Sequence, residues 1–281
     1  MLARCTYRKF HPPSLRRNVY TVDEANAAGA IAVEEEKYSH FLQTCAKTSN
    51  LYLGQATHAQ LIKESLLSSR FLRNHLLNMY CKCGALAAGL QMLDEMPERN
   101  VVSWSALVAG FVQRNRPGDA LSIFRRMLSE GVQPNGFAFV SALNACSLSH
   151  DAGQAYQIYA LVVQFGFEAN VFLGNAFLTA LIRHGKLTEA EEFFRKCQEK
   201  DTVSWNAMIA GYLQLSYSRV WGFWCMMNHE GIRRDNFAFA TVLTGLAAQS
   251  SMRNGLQVHA QLVKHGHGDD IFGKISSAEE E

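Results

Sequence analysis

Val102-Ser-Trp-Ser-Ala-Leu-Val-Ala-Gly-Phe-Val-Gln113 returns with conservative changes as Val203-Ser-Trp-Asn-Ala-Met-Ile-Ala-Gly-Tyr-Leu-Gln214. Trp104 and Trp205 lie 101 residues apart. In the first copy Trp104, Leu107, Val108 and Phe111 fall at i, i+3, i+4 and i+7, the spacing of one apolar helix face. Asn115-Arg-Pro-Gly118 then breaks the chain, and Ala120, Leu121, Phe124, Met127 and Leu128 supply a second apolar face. Gly131 suits the position just past a helix end, and Pro134 stops further propagation. The stretch 101–135 therefore reads as a helical hairpin. No strand-like alternation persists anywhere, which makes the fold class all-α.

The same period runs outward in both directions. Leu72, Asn74 and Gly84 recur as Leu173, Asn175 and Gly185 at that separation. Gly136-Phe-Ala-Phe-Val-Ser-Ala-Leu143 returns as Asn236-Phe-Ala-Phe-Ala-Thr-Val-Leu243 with an offset of 100, so one residue is lost between Gly211 and Met227. Breaks at Arg99-Asn100, Pro134-Asn135 and Ala169-Asn170 recur at Lys200-Asp201, Arg234-Asp235 and Asp269-Asp270. They divide the chain into units 35–69, 70–100, 101–135, 136–170, 171–201, 202–235 and 236–270. One amphipathic hairpin cannot bury both of its faces; a stack of them can, and the predicted architecture is a solenoid with a continuous core. Trp104, Trp205, Leu107 and Met208 are expected in that core.

Composition agrees with such an array. Of 281 residues, 48% are hydrophobic and only 5 are proline, which leaves little room for long irregular segments. No apolar run reaches the length of a membrane-spanning helix. The formal net charge of +2 lacks the strongly basic signature common among nucleic-acid binders. The 7 cysteines include no CxxC pair; Cys45 and Cys146 sit in matching contexts, read as a small buried residue used twice in a reducing compartment. Cys81 and Cys83 lack partners at zinc-ligand spacing, so neither metal nor cofactor is expected. His58, Tyr159 and His259 occupy equivalent places and are read as an amphipathic core position. The first 22 residues carry Arg4, Arg8, Lys9, Arg16 and Arg17 with no acid before Asp23. Residues 1–34 are therefore expected to be a transit peptide and disordered lead for a mitochondrion or chloroplast. Residues 271–281 read as a truncated repeat and a disordered acidic tail.

Several two-helix repeats have this size. The tetratricopeptide signature, with glycine directly after the first-helix leucine, fails here because Val108 follows Leu107. The motifs instead resemble the plant pentatricopeptide family, in its subclass of alternating long, short and standard repeats. Val102-Ser-Trp-Ser-Ala-Leu and Val203-Ser-Trp-Asn-Ala-Met look like standard-repeat openings. Asn74-His-Leu-Leu-Asn-Met-Tyr-Cys-Lys-Cys-Gly84 and Met92-Leu-Asp-Glu-Met-Pro-Glu-Arg99 look like its short repeat, and Gly255-Leu-Gln-Val-His-Ala-Gln-Leu-Val-Lys264 like its long one. The unit 202–235 departs from the pattern, since Ser216-Tyr-Ser-Arg-Val-Trp221 replaces the usual break.

The resemblance implies a right-handed superhelix that binds single-stranded RNA, one base per repeat, with units running from the 5′ end. Two side chains discriminate each base: a polar residue early in the first helix and the last residue of the same repeat. Carried over, these are Asn74 with Asn100, Ser105 with Asn135, Asn175 with Asp201, and Asn206 with Asp235. The implied register is pyrimidine, A, any base, U, U for units 70–100 to 202–235. Val140 (with Asn170) and Ala240 (with Asp270) cannot hydrogen-bond a base. Phe71, Val102, Phe137, Phe172, Val203 and Phe237 would sandwich the bases, with core packing as the competing role. Spacing alone also allows the Asn and Asp residues to be ordinary helix caps. Family members of this subclass often end in a deaminase-like domain; that chemistry needs HxE and CxxC motifs, and neither occurs. The expectation is a non-catalytic specificity factor for organellar C-to-U editing or RNA processing, with any editing or processing enzyme acting in trans and no small-molecule substrate. A tetratricopeptide-like protein-interaction scaffold is the alternative.

Overall fold

A computed structural model describes residues 22–149, 151–215 and 219–264, with side chains from residue 32 onward. Among these residues there are fourteen α-helices, one 3-10 turn at Leu66–Ser68, and no strand. The helices pair into hairpins: α1 (Val22–Thr48) with α2 (Leu51–Lys63), α3 (Arg70–Lys82) with α4 (Leu86–Glu95), and α5 (Val101–Gln113) with α6 (Pro117–Ser129). They continue as α7 (Gly136–Leu148) with α8 (Ala152–Gln164), and α9 (Val171–Arg183) with α10 (Leu187–Lys196). The last pairs are α11 (Thr202–Leu215) with α12 (Val220–His229), and α13 (Asn236–Ala248) with α14 (Met252–Lys264).

From α3 onward each hairpin starts where the chain supplies a cap. Asn100 accepts from the Val102 and Ser103 amides at the head of α5 and forms a capping box with Ser103. Asn135, Asn170 and Asp235 cap α7, α9 and α13, each accepting one amide of the first turn. A side chain that satisfies one of the orphan amides of a first turn is worth about 1 kcal/mol. Pro117 stands at the start of α6, where its missing N–H costs nothing. Past that helix Gly131 takes φ +74°, a left-handed conformation open to glycine at little cost.

First helices stack on first helices: α1 on α3, α3 on α5, and so on to α13. Each second helix packs on its own partner and on the first helix of the next hairpin. The core is therefore one ribbon along the array, as expected of a solenoid. Trp104, Trp205, Leu107 and Met208 are all completely buried in it. Trp205 meets Phe194 edge-on at 4.8 Å, linking one hairpin to the next. The period also governs helix ends: the carbonyl of Cys45 receives the Cys83 thiol at 3.6 Å, and that of Cys146 receives His184 Nε2 at 2.9 Å. Both Cys45 and Cys146 are buried, and burial pushes the Cys146 thiol up to about 12.

Three expectations need correction or bounding. Residues 22–34, assigned to a disordered lead, are helical as the first half of α1, which has no break before Thr48. His58 and Tyr159 are half-buried, but His259 is exposed, so that position is not uniformly a core position. Residues 1–21, 265–270 and 271–281 lie outside the described residues, and with them Asp270 and the basic start. A buried charge joins the unit 171–201 to the shortened unit 202–235. Glu191, where the period places Leu90, is buried and accepts from Tyr212, Arg195 and Arg219.

Candidate nucleic-acid interface

The first turns of the first helices carry the candidate side chains. In units 101–135, 171–201 and 202–235 the last residue caps the next first helix, and stacking brings it against a polar side chain one turn into the preceding first helix. The cap and the early polar residue, 26 residues apart for Asn175 and Asp201, are thus neighbours in space.

Asn175 Nδ2 donates to Asp201 Oδ1 at 3.0 Å. Asn206 Nδ2 donates to both carboxylate oxygens of Asp235 at 3.1 Å. Ser105 Oγ donates to the Val101 carbonyl at 2.6 Å and lies 3.4 Å from Asn135 Oδ1. Asn74 and Asn100 are not joined by a hydrogen bond, and Asn74 Oδ1 is buried without a partner. Val140 and Asn170 make no such pair, and Asn170 serves as the cap of α9. The two readings of the terminal residues are therefore not exclusive. Asp235 accepts the Ala238 amide and the Asn206 amide at once.

Asp201 is the most heavily engaged. Burial opposes its ionisation, but the Ser204 amide, the Asn175 amide, the Ser204 hydroxyl and the Val203 amide outweigh it and hold the carboxyl below the ordinary carboxylate range. As an anion it can only accept. Asn175 and Ser204 also line a cavity of about 540 Å³ between α9 and its neighbours, bounded by Gly174, Phe193, Cys197 and Lys200.

The second set of side chains lies at the outer surface. Phe137 is 80% and Phe172 74% exposed, and Phe71, Val102, Val203 and Phe237 are exposed too. Core packing is excluded for all six. Each stands three residues before the early position of its own helix (Phe71 before Asn74, Phe172 before Asn175), and that spacing puts both on one helix face. The sequence reading missed Ser204, whose hydroxyl joins the Asn175–Asp201 pair. A serine three residues after an Asp or Asn cap is the signal that would have found it. Among the described residues no group of three or more His, Cys, Asp or Glu side chains could hold a metal ion, and no helix is long and apolar enough to cross a membrane.

Comparison with known proteins agrees with this geometry. Residues 72–101, 175–202 and 203–219 match the PPR repeat, and residues 99–147 match a second model of the PPR repeat family. A putative pentatricopeptide repeat-containing protein of Arabidopsis thaliana, named as mitochondrial, is 33% identical over 81% of this chain and 36% of its own length. Another from the same plant, named as chloroplastic, is 34% identical over 72% of this chain and 33% of its own length. The chain thus spans about a third of the length of the curated relatives it matches. Among solved structures, the pentatricopeptide repeat protein PPR10 in complex with an 18-nt psaJ RNA element superposes with a TM-score of 0.68 at 17% identity, over 82% of this chain and 35% of that one. Within the chain, residues 72–147 and 175–219 are thus matched as repeats of the PPR repeat family.

Proposed function

We propose that this chain binds single-stranded RNA in sequence-specific fashion, one base per repeat, as a specificity factor in a mitochondrion or chloroplast. The observation that carries the reading is the pairing of short polar side chains along one rim, each beside an exposed Phe or Val. Single-stranded RNA is recognised by such means: unstacked bases offer flat faces to apolar side chains and Watson–Crick edges to amides and carboxylates. The fold's likeness to a repeat protein solved with RNA, and relatives named for both organelles, support the assignment.

The chemistry of one pair illustrates the code. Asp201, as an anion, accepts the N3–H of uracil through the oxygen that Asn175 does not occupy. Cytosine has a lone pair at N3 and is repelled. The second amide hydrogen of Asn175 is free for a pyrimidine oxygen. Units 70–100 to 202–235 are assigned the register pyrimidine, A, any base, U, U. The chain itself performs no catalysis in this reading; C-to-U editing or processing is carried out by an enzyme acting in trans.

Asp201→Asn tests the reading. The substitution keeps a capping side chain and removes the obligate acceptor. Preference for U over C at the fourth base of the register is expected to fall by about tenfold, within the roughly 1–3 kcal/mol carried by one good base contact. Binding titrations with two RNAs differing only at that base measure it. An unchanged U-over-C ratio would mean that Asn175 and Asp201 are caps and nothing more.

A further inference from the structure

We infer that Ser204 is a third specificity-determining residue of the unit 171–201, acting by fixing the orientation of the Asn175 amide and the Asp201 carboxylate. The inference rests on the RNA-binding reading above.

Three asparagines stand at the same place in three first helices, and they differ in what holds the amide oxygen. Asn175 Oδ1 lies 2.6 Å from the Ser204 hydroxyl, which is itself buried. Asn206 Oδ1 is buried without a partner, and the residue in the place of Ser204 is Ala238. Asn74 Oδ1 is also without a partner; there Ser103 is present, but its hydroxyl donates to the Asn100 carbonyl at 2.8 Å. A fully held amide therefore occurs where a serine and an aspartate meet.

The chemistry explains the combination. An ionised carboxylate accepts only, so the end of Asn175 that faces Asp201 must be its NH2 group. The Oδ1 end then needs a donor, and the Ser204 hydroxyl is within reach. Ser204 also orients the carboxylate: its amide donates to Asp201 Oδ1 at 2.9 Å, and its one hydroxyl hydrogen is shared between Asn175 Oδ1 at 2.6 Å and Asp201 Oδ1 at 2.9 Å. The other carboxylate oxygen is left to meet a base, and the second hydrogen of Asn175 Nδ2 is held beside it. In the unit 202–235 Asn206 leans on both oxygens of Asp235, and nothing anchors its far end. Both units read U, but 171–201 presents a rigid donor–acceptor pair and 202–235 a looser one. Rigid placement sharpens discrimination because a mismatched base cannot be met by a rotated amide.

The test uses the full chain and a synthetic RNA built on 5′-UAAUU-3′ with adenosine flanks, together with versions carrying C at the fourth or the fifth base. Binding is read by fluorescence anisotropy. Ser204→Ala is expected to lower the U-over-C ratio at the fourth base about fivefold, the worth of one ordinary hydrogen bond, and to leave the fifth-base ratio unchanged. Ser204→Thr keeps the hydroxyl and is expected to retain the ratio. Ala238→Ser is expected to raise the fifth-base ratio by a similar factor. If Ser204→Ala weakens all RNAs equally with the fourth-base ratio intact, or if Ala238→Ser leaves the fifth-base ratio unmoved, Ser204 is only a capping residue and the inference is overturned. A wild-type protein indifferent to U and C at both positions overturns the Asn–Asp reading and this inference together, so the two failures are told apart by the wild type alone.

Discussion

Asp201 uses one carboxylate to cap α11 and to hold Asn175, and this explains why its position was ambiguous in the sequence. Spacing placed an Asp at a unit boundary, where a cap and a base-reading group are both expected. That one carboxylate meets both demands depends on its distance from a residue 26 positions earlier, which only the stacking of α9 on α11 supplies. The six apolar residues were undecided for the same kind of reason. Phe172 falls within an apolar-rich helix start, and its exposure depends on which way the first turn faces. Asp201 also carries a pH prediction. Its pKa is depressed on folding, so its contribution to stability is present above the unfolded-state pKa and is lost as pH falls through the lower folded-state value. Thermal unfolding of wild type and Asp201→Asn, followed across the acid range, is expected to show a stability gap at neutral pH. The gap should persist to the lower edge of the ordinary carboxylate range and close below it. A gap that closes well above that range would mean the carboxylate is not held in its charged form.

Helix boundaries were legible where the chain writes them chemically. Asn100, Asn135 and Asp235 begin α5, α7 and α13, and Gly131 follows α6, because caps and left-handed glycines act through adjacent atoms. The beginning of α1 was not recognised, although Thr21-Val-Asp-Glu24 has the Thr-x-x-Glu spacing of a helix start. Its sequence holds no cap-and-break signal between Val22 and the first unit, and the helix runs straight through the Glu34-Glu35-Glu36 run. Nor was the Glu191 cluster: a charge at an apolar position is readable only once Tyr212 and Arg219 are known to surround it. Contact between successive first helices explains a glycine within each standard opening. A Cβ on Gly110 would sit 2.8 Å from Cys81 Cβ, and one on Gly211 2.9 Å from Ile182. Neither glycine has positive φ, so the requirement is for space and not for backbone freedom. Gly110→Val is therefore expected to destabilise the protein by about 1–3 kcal/mol through overpacking of α5 on α3. Gly118→Ala, where an added Cβ meets nothing, is expected to be neutral or stabilising by up to about 1 kcal/mol. Urea denaturation compares them, and equal midpoints for the two variants would refute the close-packing account.

At the scale of the whole molecule, the array joins an open rim of polar and apolar side chains to a chain that is nearly neutral. The net charge of +2 from 27 basic and 25 acidic residues sets it apart from proteins that hold nucleic acid by phosphate neutralisation. Several of the cations are already engaged within the fold. Arg99 reaches Glu130 at 2.7 Å, Arg126 reaches Asp94 at 2.7 Å, and Arg219 reaches Glu191 at 2.6 Å. In the proposed reading, the remaining attraction for RNA comes from base stacking on exposed residues such as Phe137 and Phe172 and from hydrogen bonds to base edges, neither of which releases many counterions. For single strands the slope of log affinity against log salt is about −0.7 per neutralised phosphate, so contact with about four phosphates gives a slope near −3. Titrations of a matched RNA between low and physiological salt are expected to fall at or below that steepness, and a mismatched RNA should show the same slope at lower affinity. A slope steeper than about −6 for both RNAs, with the mismatch penalty vanishing at low salt, would assign the binding to the phosphate backbone and leave the polar rim without a role in affinity.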